Sequence, residues 1–211
     1  MKHEWRKAEK EYYIPKQIAV VDVPEYNFIT IEGAGDPNSE AFGEQITAIY
    51  PVAYVLRMGL KKGNFDNDPL EYTVYPLEGV WTTSDGSKGD ELNKEALVYK
   101  IMVRQPEVVT KEMFEEALAK AKAKANKPNK YFDQLKFEKY TEGKAVQTIH
   151  VGPFDEEPKT FAKLDEFLQE NNLKRINTMG EFIHREIYLS DFRRVASKKR
   201  KTVLRYRVTE A

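Results

Sequence analysis

The chain has 211 residues, 41% of them hydrophobic and 32% charged, a balance that fits one globular domain and excludes a disordered segment. Thirty-four Lys and Arg offset thirty-four Asp and Glu, so the basic surplus typical of a nucleic-acid binder is missing. The absence of cysteine removes disulfides and thiol chemistry, and three histidines (His3, His150 and His184) are too few and too scattered for a metal centre.

Residues 1–17 mix Trp5, Tyr12 and Tyr13 with lysines and glutamates and predict an amphipathic surface segment, the alternative being an arm or short helix packed on the domain edge. They lack the apolar core of a signal peptide, and no later run reaches membrane-spanning length, so a cytoplasmic protein is expected. The β-branched and aromatic run after Pro24 predicts a strand over 26–32. Phe42, Ile46, Ile49, Tyr50, Ala53 and Leu56 recur at helical spacing over 39–59, with Pro51 expected to kink or break that helix. Strands are predicted over 71–81, disturbed near Pro76 and Gly79, and over 96–106. The helix over 110–125 opens at Thr110 and ends in lysines that complement its dipole. A short helix over 130–138, a strand over 144–152, a helix over 157–171 with Pro158 in its first turn, and strands over 182–189 and 201–208 complete the chain.

The order strand, helix, strand, strand thus occurs twice, in halves at about 18–106 and 144–208 joined by a helical connector at 107–143. An α+β fold of duplicated β-α-β-β units is expected, with a ligand groove between the halves and the whole of 18–211 as one domain.

Alternation along 182–189 puts Phe182, His184, Glu186 and Tyr188 on one face and Ile183, Arg185, Ile187 and Leu189 on the other. The first face suits an amphipathic groove. The second suits helix packing, with Arg185 reaching a rim or a buried acid. A glutamate under aromatic cover can act as a general base or attract a cation; the plain alternative is an ordinary ion pair across the sheet. His184 could orient that carboxylate or relay its proton, or be a hydrogen-bonded wall residue. Tyr188 could stack on a ligand and donate to a developing oxyanion. Trp81 offers a stacking platform from the other half, beside Tyr75 and Glu78; the alternatives are a core indole and a turn carboxylate. Phe154, after the Gly152-Pro153 turn, could form a wall, and Tyr50, Tyr54 and Met58 lie on the first long helix as core or lid. The GAGDPN stretch lacks a dinucleotide fingerprint, and no cofactor motif is present.

The stretches TEGKAVQTIHVGPFDEEPKTFAKLDEFLQENNL, GEFIHREIYLSDFRR and YTVYPLEGVWTTSD resemble the GyrI-like small-molecule-binding family, in its stand-alone members. The resemblance covers about residues 18–208 and is most specific at HREIYLSD. It implies a SOUL-like fold with pseudo-twofold symmetry and an aromatic-lined groove that holds planar or cationic aromatic compounds. One branch implies hydrolysis of cyclopropane-bearing DNA-alkylating compounds by water addition, a detoxification. The family's glutamate matches Glu186, and Tyr188 and Trp81 match the aromatic groups that act with it. Phe192 departs from the proline that the family usually carries after the aspartate, a change expected to affect only a loop. With no helix-turn-helix region beside the domain, a self-contained transcription factor is not expected. The expected partner is an aromatic small molecule, cationic ones included, with neither membrane nor nucleic acid. A non-catalytic multidrug-sequestering protein and a protein inhibitor of a nucleic-acid enzyme are the other readings.

Overall fold

The computed structural model describes residues 2–211, apart from the side chain of Asp90. Its elements are α1 (Trp5–Ala8), α2 (Lys10–Tyr13), β1 (Ala19–Ala34), α3 (Glu40–Lys62), β2 (Leu77–Thr83), β3 (Leu97–Gln105), α4 (Lys111–Lys124), β4 (Lys136–Val151), α5 (Glu157–Glu170), β5 (Leu173–Ile176), β6 (His184–Tyr188) and β7 (Lys201–Glu210). All strand pairings are antiparallel. The order β4-β1-β3-β2-β6-β7 closes on itself because β7 also pairs with β4, and β5 extends the edge of β7. Each half contributes a matching set of pairings, β1–β3–β2 and β4–β7–β6. The halves meet at two seams, β1–β4 and β2–β6. The fold is therefore an α+β closed barrel built from duplicated β-α-β-β units, the SOUL-like arrangement expected from the sequence.

Helices α3 and α5, one from each half, lie on the outside of the barrel. Ser39 caps α3 by accepting from the Phe42 amide, and Ile46, Ile49, Val52, Ala53 and Leu56 bury its inner face. Pro51 sits on the exposed side of this continuous helix and does not break it. Leu164 and Leu168 of α5 pack on Leu204 and Tyr206 of β7.

Five elements differ from the predicted ones: β2 begins at Leu77 instead of residue 71, the short β5 was not predicted, and β1, the 130–138 segment and the arm depart further. β1 runs through Pro24, which is tolerated because β1 pairs there with β4 alone; β3 joins only from Asn27. The expected helix at 130–138 is a 3₁₀ turn, Lys130–Gln134, and Lys136 already begins β4. The arm is not a surface segment. Trp5 and Tyr13 are buried, Trp5 donates to the Val74 carbonyl at 3.1 Å, and Glu9 pairs with Arg104. Arg104 also bonds the Tyr13 hydroxyl at 3.0 Å, so the arm plugs one end of the barrel.

The barrel interior carries paired charges. Arg185 donates to Glu78 at 2.8 Å and to Glu142 at 3.1 Å, and Arg205 donates to Glu142 at 3.1 Å and to Gln147 at 2.8 Å. Arg185 thus reaches a buried acid, as one of its expected alternatives had it. Its face, however, lines the barrel instead of packing on helices. Glu78 is neither a groove carboxylate nor a turn residue but the partner of Arg185 inside the barrel. Burial alone would raise the Glu142 carboxyl, yet Arg185 and Arg205 overcome that and hold it below the usual range.

Removing one partner of such a buried set strands the others. Glu142→Gln is expected to cost about 3–5 kcal/mol of unfolding free energy in urea denaturation. Because the folded carboxyl titrates low, its contribution is complete above the unfolded-state value and fades as pH falls through the folded one. Glu142→Gln should therefore flatten the loss of stability in acid; an unchanged acid limb would contradict the network's role.

Candidate functional site

The seam between the halves pairs β2 with β6 in the register Gly79↔Glu186, Val80↔Arg185 and Trp81↔His184. With Arg185 inside, strand alternation turns His184, Glu186 and Tyr188 outward, into the space between α3 and α5. Trp81, of the same parity on β2, faces the same space.

These side chains form a directed chain of hydrogen bonds. The indole N–H of Trp81 donates to the Tyr188 hydroxyl at 3.0 Å, and that hydroxyl donates to Glu186 Oε2 at 2.8 Å. An indole N–H can only donate, so the direction is fixed. His184 Nε2 lies 2.9 Å from Glu186 Oε1. Both carboxylate oxygens are therefore engaged, while the side chain keeps 13% exposure. Burial, and then the Glu186 charge, push the Tyr188 phenol well above its ordinary value, so it stays a proton-bearing donor.

Aromatic rings close over this chain. Phe154 and Phe192 meet the Tyr188 ring edge-on at 6.0 and 5.8 Å, and lie 6.1 Å from each other. Phe42 of α3 packs 6.0 Å from Trp81, Tyr99 lies 5.0 Å from the indole, and the two are 5.1 Å from each other. Phe161 of α5 sits edge-on to His184 at 4.7 Å. Gly79 makes the arrangement fit: a Cβ there would lie 2.6 Å from Trp81 Nε1 and 3.3 Å from the Tyr188 hydroxyl.

Of the residues singled out from the sequence, the structure brings Glu186, Tyr188, Trp81, His184 and Phe154 together. Tyr50 stands at the rim, beside Asp191 and Arg193, and burial pushes its phenol up to about 12. The others lie elsewhere. Tyr75 packs against the arm, its hydroxyl donating to Glu9 at 2.8 Å. Phe182 precedes the regular strand, where alternation no longer holds, and packs against Phe28, Val80 and Met102 of the barrel interior. Tyr54 and Met58 are exposed, roughly 18 and 24 Å along the helix from Phe42 at 1.5 Å per residue. Phe192, expected to matter only to a loop, is instead a wall of the cluster.

Glu157 was missed altogether. It opens α5, is 6% exposed, and its Oε1 has no hydrogen-bond partner. Burial, then the neighbouring Glu186, then Asp155 push its carboxyl well above the usual range. A surface cleft of about 480 Å³ between α3 and the end of α4, bordered by Pro51, Val55, Lys124 and Phe132, holds none of these groups. Among the described residues, no cluster of three or more His, Asp or Glu could hold a metal, and no helix is long and apolar enough to cross a membrane.

The chain and its fold have known relatives. The model of the GyrI-like small molecule binding domain matches residues 16–208. A crystal structure of a hydrolase encoded by lin2189 from Listeria innocua is 35% identical, with a TM-score of 0.86, covering 99% of this chain and 100% of that one. A further Listeria innocua hydrolase structure is 32% identical over 98% of this chain and all of its own, with a TM-score of 0.82. The EcmrR C-terminal domain shares the fold at 17% identity and a TM-score of 0.53, covering 92% of this chain and 98% of its own. No curated protein matches by sequence.

The fit around Gly79 yields a direct expectation. Gly79→Ala should push the indole off the Tyr188 hydroxyl, change the near-ultraviolet circular dichroism of the aromatic cluster, and cost about 1–3 kcal/mol through overpacking. An alanine variant with native dichroism and native stability would contradict the geometry.

Proposed function

The chain belongs to the GyrI-like small-molecule-binding family, and on that footing we propose that it takes up flat, strained electrophilic aromatic compounds at Glu186 and adds water to them. The observation that carries the reading is the carboxylate itself. It sits under aromatic cover and accepts from Tyr188, and among the described residues its one ion-pair partner is His184. A carboxylate paired with arginine is neutralised, whereas one held only by a phenol and an imidazole under aromatic cover can take a proton from a bound water. The likeness to two proteins described as hydrolases, each at 30% identity or more over nearly the whole chain, supports turnover.

Phe154 and Phe192 lie on connecting segments outside the regular strands, whereas Trp81 and Tyr188 are fixed on β2 and β6. Parting the two phenylalanines admits a flat ring beside the indole. For a cyclopropane conjugated to a ring carbonyl, Glu186 takes a proton from water as the water oxygen bonds to the strained methylene carbon. The carbon–carbon bond breaks and its electron pair moves to the carbonyl oxygen, giving a phenolate that is then protonated. The product is the substrate plus one water, no longer able to alkylate DNA. The same carboxylate would also hold an aromatic cation without chemistry, which is the sequestering alternative.

Incubation with a cyclopropane-bearing alkylator should yield a product heavier by one water, detected by mass spectrometry. Glu186→Gln should slow its formation by about 10²–10⁴-fold while leaving ligand quenching of tryptophan fluorescence nearly unchanged. Quenching by the wild type with no water adduct would select sequestration; turnover by Glu186→Gln at the wild-type rate would remove Glu186 as the base.

A further inference from the structure

We propose that Glu157 is the second catalytic group of this site, the proton donor that complements Glu186. The inference rests on the hydrolytic reading above and adds to it the acid that the reaction needs. Ring opening leaves negative charge on the former carbonyl oxygen, and something must protonate it. Tyr188 was the natural candidate, but its hydroxyl proton is directed at Glu186 Oε2 while its oxygen accepts from Trp81. The Trp81 N–H is engaged by Tyr188, and His184 by Glu186. The Trp81 N–H, the Tyr188 hydroxyl and Nε2 of His184 are thus committed to holding the base.

Glu157 is the exception. It is nine-tenths buried, it stands beside Glu186 and Tyr188, and its Oε1 meets no partner. A buried polar atom left unsatisfied is costly, and the group is placed at the start of α5, where an ionised carboxylate would otherwise be favoured. The surroundings do not supply that ionised form with a partner. From β6, Glu186 and Tyr188 face it, and the carboxylate of the two repels a second negative charge. From its own segment, Asp155 adds a further negative charge and is itself paired with Lys94 at 3.3 Å. From β4, His150 has both nitrogens engaged, with Thr160 and with the Pro153 carbonyl at 2.9 Å each. From the segment before β7, Arg200 lies over the Phe154 ring, 5.4 Å from its centroid, and donates to the Val195 carbonyl. Two carboxyls in one site with unlike surroundings divide the roles of base and acid between them. In the cycle, Glu186 takes the water proton, Glu157 gives its own to the phenolate oxygen, and the proton then returns from Glu186 to Glu157.

The test compares wild type, Glu157→Gln and Glu186→Gln. With the cyclopropane-bearing alkylator, wild type should show a rate that falls again at alkaline pH as Glu157 ionises. Glu157→Gln should be slowed by about 10²–10⁴-fold and lose that alkaline limb, since an amide donates a hydrogen bond but transfers no proton. A purely structural glutamate would leave the limb in place, and an unaltered profile in Glu157→Gln overturns the proposal while leaving Glu186 as base.

A second readout needs no turnover. Near neutral pH the infrared spectrum should contain a buried carboxylic-acid band, present in wild type and Glu186→Gln and missing from Glu157→Gln. The sign of the stability effect follows from the same proton. A folded-state carboxyl raised above its unfolded value loses stability as pH rises toward the folded value, so Glu157→Gln should melt increasingly above wild type over that range. A missing band in wild type, or one that survives in Glu157→Gln, overturns the proposal whether or not any substrate is consumed.

Discussion

The placement of Arg185 inside the barrel is the constraint on which the site depends. Its guanidinium is 1% exposed and bonded to Glu78 and Glu142, which come from the two different halves of the chain. Burying such a group without partners costs several kcal/mol, so β6 has one acceptable register against β2. A slip of one residue would drive Arg185 under the helices and Glu186 into the barrel among acids. Once Arg185 is inside, a side-chain period of two turns His184, Glu186 and Tyr188 outward. The interior network thereby acts as a registry device for the chemistry on the opposite face.

That division separates two electrostatic worlds across one strand. Inside, each carboxylate of the Glu78, Glu142, Arg185 and Arg205 set meets a guanidinium. Outside, Glu186 meets an imidazole and a phenol, and Glu157 has an oxygen that meets nothing. Charge that is cancelled by arginine holds a fold together; a carboxylate held by a phenol and an imidazole under aromatic cover stands next to the space a ligand would enter. The duplicated architecture supplies the setting, because the β2–β6 seam is where the two halves, each with its own long helix, come together.

Much of this was legible in the sequence. Apolar spacing and the capping residues Ser39 and Thr110 located α3 and α4 to within a few residues. The HREIY alternation correctly separated Glu186 from Arg185, because both lie within the regular part of β6. The same rule failed for Phe182, two residues outside that regular part. The helix-facing surface was also assigned to the wrong side: aliphatic Ile187 suggested helix packing, but a closed barrel has an apolar interior of its own. The arm was misread because its lysines and glutamates look solvated, while the residues that matter, Trp5, Tyr13 and Glu9, are specified by distant partners such as Val74 and Arg104. Glu157 left no local signal, since an acidic residue in the first turn of a helix is ordinary. Its burial comes from the packing of α5 on the seam, a tertiary effect. Phe192 was undervalued for a similar reason: its ring reaches back over Tyr188 from a loop.

The central claim is that the Glu186 face of the β2–β6 seam is where the ligand sits. A crystal structure of the protein with the water adduct of a cyclopropane-bearing alkylator tests it most directly. The account predicts the aromatic ring lying against Trp81, with Phe154 and Phe192 moved aside and the added hydroxyl beside Glu186. Ligand density in the cleft between α3 and α4, with the aromatic cover over Glu186 still closed, would contradict it.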